Sequence, residues 1–219
     1  MERAFIQAPH ELSTPVLQAL AALREAAAPP FDDPDAPVRL ADLPPVWRTL
    51  LLNEARVYED ILPLGCPEIA RSDWTRLLTR MAKQLEQAYR IAGLLTLVER
   101  GPERDDLAEA PLLSHWAPGI AWHGDLVLTG HVTGHPRLES TWVHTTPLMG
   151  LDPRVRWARS WTRWYRLGES MGEEHRLDYW LARVPVALIE TDDAQVAAHF
   201  VALRERVGRL LEPLVEPRR

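Results

Sequence analysis

The sequence is short of several things, and each shortage removes a class of protein. Cys66 is the single cysteine, so no intrachain disulfide can form, and any zinc site would rest on histidines and carboxylates. The plain reading of Cys66 is a small packed residue ahead of Pro67. No apolar run approaches the roughly 18 to 20 residues that a membrane-spanning helix needs. The opening stretch MERAFIQAPHELSTP lacks an apolar segment followed by a small-residue cleavage site, so no secretory signal is expected. These shortages point to the cytosol and away from the membrane. Neither GxGxxG nor GxxxxGK[ST] occurs, which weakens nucleotide-fold readings, and no GxSxG elbow surrounds any serine. Helix-turn-helix, RRM and zinc-finger signatures are missing as well.

Lysine is almost absent: of 25 basic residues only Lys83 is one. With abundant alanine and 19 prolines, this arginine excess looks like GC-rich coding bias and suggests a bacterial source. The formal net charge is -6, which argues against broad affinity for nucleic acid. The deficit lies in residues 1–110, whereas 137–166 holds six arginines against Glu139 and Asp152.

What is present organises itself into helices, then strands, then a helix. Ser13 or Thr14 can cap a helix to about Ala27, with Pro15 in its first turn. APPFDDPDAP then reads as an extended loop, and a second helix is predicted over about 45–61. Ser72 or Asp73 caps a third, long one reaching Glu99, on which Trp74, Leu77, Leu78, Met81, Leu85, Ala88, Ala92 and Leu95 recur at helical spacing. Gly101-Pro102 stops it, and ERDDLAEAPLLSHWAPG reads as a connector anchored by Leu107, Leu112, Leu113 and Trp116.

From about residue 119 the apolar period changes from 3.6 to 2. IAWHGDLVLTGHVTG, TWVHTTPLMGL and RVRWARSWTRWYRLG are strand-like runs separated by the turn sequences GHPRLES and LDPR. RLDYWLARVPVALIE could extend the sheet, with Pro185 at an edge or bulge. Thr191 or Asp192 then caps a C-terminal helix with a seam of Val196, Phe200, Leu203, Val207 and Leu210, ended by Pro213. The predicted fold is α+β: N-terminal helices, a small antiparallel meander of about three to five strands, and a C-terminal helix. The expected division is a helical region 1–104 and a sheet unit 105–219, packed as one body. Short connections favour antiparallel neighbours.

Residues 154–168 carry five arginines, three tryptophans and a tyrosine. On one continuous strand Trp157, Arg159, Trp161, Arg163 and Tyr165 would share a face, stacking guanidinium on ring. Three uses fit: a structural face of arginines packed over rings, a single-strand nucleic-acid platform, or an anion pocket around Arg159 and Arg163. The structural use is the simplest. A second constellation is His123, His131, His135 and His144. His123 and His131 share strand parity and His144 lies on the next strand, so a three-histidine zinc site is physically permitted. The spacing is not diagnostic, and each histidine alone reads as a strand residue with a satisfied ring nitrogen. Thr145, Thr146 and Ser140 supply nearby hydroxyls without a nucleophile's setting. No catalytic residue, metal or cofactor is therefore assigned; Arg159, Arg163, Trp161, Tyr165, His131 and His135 are the candidate binding residues.

The turn Gly134-His135-Pro136-Arg137, the run Thr145-Thr146-Pro147-Leu148 and the strand Trp157-Ala158-Arg159-Ser160 through Arg163-Trp164-Tyr165-Arg166-Leu167-Gly168 resemble a family of small uncharacterised bacterial proteins, a domain of unknown function. Its members often precede these with a D-L-A-x-A-P-L-L segment, here residues 106–113. The resemblance spans about 105–168 and implies a bacterial origin and a compact β unit, but no activity. The function expected from the whole is a non-enzymatic cytosolic accessory or regulatory protein acting through protein contacts, possible as a homodimer and as a factor carried by a phage or mobile element. The alternatives are a nucleic-acid module on 154–166 and a small enzyme or metal site at the histidines.

Overall fold

A computed structural model describes residues 68–121, 124–181 and 192–215, together with 37–39 and the single positions Ala21, Ala41, Leu43, Arg48 and Leu51. The helices predicted over 13–27 and 45–61, the loop near 30–36, Cys66 and His123 lie outside the described residues, apart from Ala21, Arg48 and Leu51, which are helical. Chain contacts divide the protein into two compact units, Met1–Arg90 with Glu205–Arg219, and Ile91–Arg204. The class is α+β, as predicted. No described helix is long and apolar enough to cross a membrane.

In the first unit a two-residue ladder pairs β1 (Val38–Arg39) with β2 (Glu68–Ile69) antiparallel. Helix α1 (Arg71–Arg100) follows at once and ends at Gly101, whose φ of 76° only glycine adopts cheaply. The predicted seam is the buried one: Trp74, Leu77, Met81, Leu85 and Ala88 pack with Val38, Leu43, Leu51, Ile69 and Leu210.

The second unit is built on a sheet of six strands: β3 (Leu112–Ile120), β4 (Leu126–Thr133), β5 (Thr141–His144), β6 (Leu148–Asp152), β7 (Trp157–Ser160) and β8 (Trp164–Leu167). Their order is β5-β4-β3-β8-β7-β6. Laid flat at about 4.8 Å per strand, the edges would stand about 24 Å apart. Yet the edge strands β5 and β6 are joined by residues 145–147 alone, a reach of at most about 14 Å. The hydrogen bonds show how this is met. Thr145 N donates to Leu128 O at 2.8 Å, prolonging the β5–β4 ladder, and Trp161 N donates to Pro147 O at 2.8 Å, prolonging the β6–β7 ladder. Cα atoms of β4 and β6 consequently approach within 8 Å. The sheet is curled closed, and β5 and β6 are two halves of one bent strand, matching the single run read over 141–151.

Counted that way the barrel has five segments, and an odd meander cannot close antiparallel throughout. The first and fifth segments point the same way, so their pairing must be parallel. It is: Arg166 N donates to Pro111 O (3.0 Å), Gly168 N to Leu113 O (2.9 Å), Trp116 N to Glu169 O (3.3 Å) and Met171 N to Trp116 O (2.8 Å). The expected purely antiparallel meander is thus corrected to a mixed sheet with one parallel closure. The interior is Leu113, Leu126, Leu128, Val132, Leu148, Ala158, Tyr165 and Leu167, joined by Val196 and the half-buried Phe200 of the C-terminal helix.

Other boundaries also differ from the sequence reading. The connector is in fact a short helix, α2 (Arg104–Ala108), followed by all of β3. A bulge at His115–Trp116, between the paired residues Ser114 and Ala117, interrupts the two-residue period and conceals the strand. The run read as one strand from 120 is broken by a turn in which Gly124 (φ 90°) donates to Ala121 O at 2.8 Å. Residues 176–181, read as strand, belong to α3 (Glu173–Leu181), because His175 and Tyr179, four apart, present one helical face. The last helix, α4 (Asp193–Val215), begins at a reciprocal cap: Asp192 Oδ1 accepts from Gln195 N at 2.7 Å and Gln195 Oε1 accepts from Asp192 N at 3.0 Å. It continues two residues past Pro213, where the sequence reading ended it.

Candidate functional site

The arginine–tryptophan stretch is a hairpin, and this overturns the single shared face. Ser160 starts its turn. Ser160 N donates to Arg163 O at 3.0 Å, while Ser160 Oγ accepts from Thr162 N at 3.3 Å and from Arg163 N at 3.4 Å. A serine hydroxyl that binds the next backbone amides reverses the chain instead of extending it. Trp161 and Arg163 therefore sit in the turn, and the strands on either side pair Arg159 with Trp164, Ala158 with Tyr165 and Trp157 with Arg166.

Side chains then sort by register. Ala158, Ser160, Tyr165 and Leu167 face the interior; Trp157, Arg159, Trp164 and Arg166 face outward. Arg159 and Tyr165, expected side by side, lie on opposite faces. Stacking of cation on ring survives across the ladder: Arg159 Cζ is 5.4 Å from the Trp164 ring centroid, and Trp157 meets Trp164 edge-on at 5.2 Å. Arg159 is only 2% exposed. Burial lowers its pKa from the usual guanidinium value, and Asp106 of α2 opposes the shift. Arg166 Nε donates to Ala110 O at 3.0 Å, tying α2's exit to β8. Burial also pushes the Tyr165 phenol up.

The turn of the hairpin belongs to a different surface. Thr133 and Arg166 are both register partners of Leu112, on either side of it. The β4–β5 turn follows Thr133 and the β7–β8 turn precedes Arg166, so both turns emerge at one end of the barrel. One turn carries the sequence candidate His135 with Arg137 and Leu138, the other carries Trp161 and Arg163, and Arg163 is close enough to act on His135. Arg137 N donates to His135 Nδ1 at 3.1 Å, which leaves the ring proton on Nε2. Burial, then Arg163, then Arg137 lower the pKa of His135 below the usual histidine value. Neither arginine makes an ion pair with a described carboxylate. Leu138 is 45% exposed, Trp161 and Arg163 are half-buried, and Arg137 is exposed. Hydroxyls flank the turn, with Thr162 Oγ1 3.2 Å from Thr146 Oγ1.

His131 goes elsewhere. It meets Trp142 edge-on at 5.8 Å, and Trp142 meets the fully buried Tyr179 of α3 at 6.0 Å. Two histidines that the sequence reading passed over complete this seam. His115, held at φ 50° by the bulge, stacks on His175 of α3 with centroids 3.6 Å apart and 17° between planes. Nearly parallel rings send their nitrogen lone pairs in parallel directions, so the pair cannot converge on one ion. Glu174 Oε1 lies 3.4 Å from His175 Nδ1. The seam docks α3 on the barrel. His144, paired with Thr129, shares His131's outer face but is exposed, and His135 sits in the turn. Among the described residues no three His, Cys, Asp or Glu side chains group as metal ligands. A spacing of 60 between His115 and His175 carries no local signal; the i, i+4 pair His175 and Tyr179 was the readable clue.

The fold and its packing define a small closed β barrel faced by helices, with a basic, partly apolar end. Residues 85–182 match a family described as a family of unknown function (DUF6634), and the segment carrying the motif resemblance lies inside that match. The match takes in the whole barrel and α3 and ends before α4. No curated protein and no solved structure gives a significant match.

Proposed function

We propose that this is a non-enzymatic binding module of the bacterial cytosol that works through protein contacts, and that the barrel end formed by the β4–β5 and β7–β8 turns is its docking surface. The observation that carries the reading is the gathering of Trp161, Leu138, Arg137, Arg163 and His135 at one end by strand register. Tryptophan and arginine are the residues that most often dominate protein interfaces, and an apolar centre with a charged rim is the usual plan. The partner it suits is a protein surface bearing acidic groups around an apolar side chain.

The nucleic-acid alternative would need stacking rings on 154–166. Trp164 and Tyr165 are 4% and 5% exposed, so neither offers a base its face. The test places a photo-crosslinking amino acid at Leu138 in the full chain expressed in a bacterial host. One discrete adduct is expected. It should vanish with Arg137→Glu and Arg163→Glu together, and should not form from the exposed Val201 position. If position 138 gives no adduct, or gives the smear seen from Val201, the docking surface is elsewhere and the reading fails.

A further inference from the structure

Resting on that reading of the barrel end, we infer that the group recognised there is a phosphoryl oxyanion, received by the guanidiniums of Arg163 and Arg137 and by Nε2–H of His135. Two independent features of the geometry converge on it. First, strand register sets the two turns at one end of the barrel, where Arg163 and Arg137 both act on His135, and no described carboxylate pairs with either arginine. Like charges held together repel unless something between them carries the opposite sign. Second, the His135 ring is fixed by its bond from Arg137 N, so its remaining N–H is a committed donor. Arginine's planar fork suits phosphate in particular. A phosphoryl group presents three acceptor oxygens and close to two negative charges, whereas a carboxylate presents two oxygens and one charge. Three donor groups therefore fit the first more fully than the second.

The turn that carries Arg163 is rigid, because Ser160 binds two of its amides and its carbonyl. Little ordering is then spent on binding. The other charged groups around the site are Glu139 in the β4–β5 turn, and Arg159 with Asp106 and Tyr165 around it. Arg159 is enclosed, so it adds field without adding a contact. An anion lodged against Arg163 and Arg137 would cancel two of the influences that disfavour the imidazolium of His135. Binding is thereby linked to proton uptake at His135, whose titration midpoint rises when the anion is bound.

The experiment follows His135 by NMR in the full chain, labelled at histidine, during titration with sodium phosphate, O-phosphoserine or sodium acetate at constant ionic strength. Phosphate and O-phosphoserine are expected to shift the His135 ring signal saturably and to raise its titration midpoint, with acetate doing neither. Arg163→Gln should weaken the response about tenfold, the loss of one charge-assisted hydrogen bond. Unchanged signals from His115 and His175 would show that the barrel is intact. If acetate at matched ionic strength moves His135 as far as phosphate does, the site reads charge alone and the phosphoryl assignment is overturned. That result leaves a crosslink at Leu138 standing, whereas saturable phosphate binding with no crosslink sinks the protein-contact reading and keeps the oxyanion site. O-phosphoserine binding more tightly than inorganic phosphate identifies a phosphorylated side chain as the source; the reverse order identifies the free ion.

Discussion

Arg159 and Arg163 are four residues apart and chemically identical, and the hairpin assigns them opposite consequences when each is truncated. Arg159 is enclosed against Trp164, with Asp106 close enough to favour its charge. Arg159→Ala removes a cation–π contact worth about 2 kcal/mol when desolvated. It also leaves a cavity of the size that costs about 2–5 kcal/mol when a large side chain becomes alanine. The two overlap, so a loss of about 3 kcal/mol is expected. With a urea slope of about 2 kcal/mol/M, the unfolding midpoint falls by about 1.5 M. Arg159→Met fills the space and relieves the buried charge, so its cost should stay below about 1.5 kcal/mol. Arg163→Ala, in a turn held by backbone and Ser160, should stay within about 0.5 kcal/mol while weakening the Leu138 crosslink. Urea unfolding of the full chain followed by tryptophan fluorescence measures all three. An Arg159→Ala midpoint indistinguishable from that of Arg163→Ala would mean that Arg159 is not enclosed, and the division of the stretch into structural strands and a docking turn would fail.

Much of this architecture could be read from the sequence, and the failures share a cause. Helix α1 was readable because eight apolar residues, Trp74 to Leu95, keep one period over about six turns and a Gly-Pro pair ends it. The run 141–151 was readable as one strand because its bend preserves alternation on both sides. The stretch 154–168 was not, because alternation of rings and cations continues through the turn: a hairpin whose turn residues keep the parity of its strands looks continuous. Ser160 alone marked the break, and a serine in a strand is too common to insist on one. β3 was hidden by its own bulge, which adds a residue and inverts the parity after Ser114. The site divides in the same way. His135, Trp161 and Arg163 were singled out individually, but what unites them is closure of the barrel, which no local pattern encodes. The histidines considered for a metal were grouped by parity along a run that a turn breaks at Gly124, whereas the stacked pair joins β3 to α3 across the sequence.

Packing of the barrel against the last turns of α1 can be tested at Gly150, where an added Cβ would overlap Val98 Cγ1. Gly150→Ala should cost about 1–3 kcal/mol, and Val98→Ala in the same chain should recover part of it; thermal unfolding of the single and double variants decides. At high pH the Tyr179 phenol, pushed up to about 12 by burial, stays neutral in the folded protein. The unfolded chain ionises it near 10, so this contribution to stability holds below pH 10 and drains away between 10 and about 12. Tyr179→Phe should flatten stability over that window, and absorbance at alkaline pH should lose one late-ionising phenol relative to the parent. At low pH the signs reverse. Burial lowers the pKa of His199, with Asp125 opposing, and burial with Arg163 and Arg137 lowers that of His135. Both are favoured as neutral rings when folded, while the unfolded chain takes up protons near 6.5, so their support is complete above that pH and lost as pH falls towards the folded values. Melting temperatures between pH 7.5 and 5 should fall less steeply for His199→Gln with His135→Gln than for the parent. Phosphate should also soften the parent's fall, through His135 alone, so the His199→Gln variant keeps the phosphate effect and His135→Gln loses it; a phosphate effect that survives in His135→Gln would place the anion away from this turn.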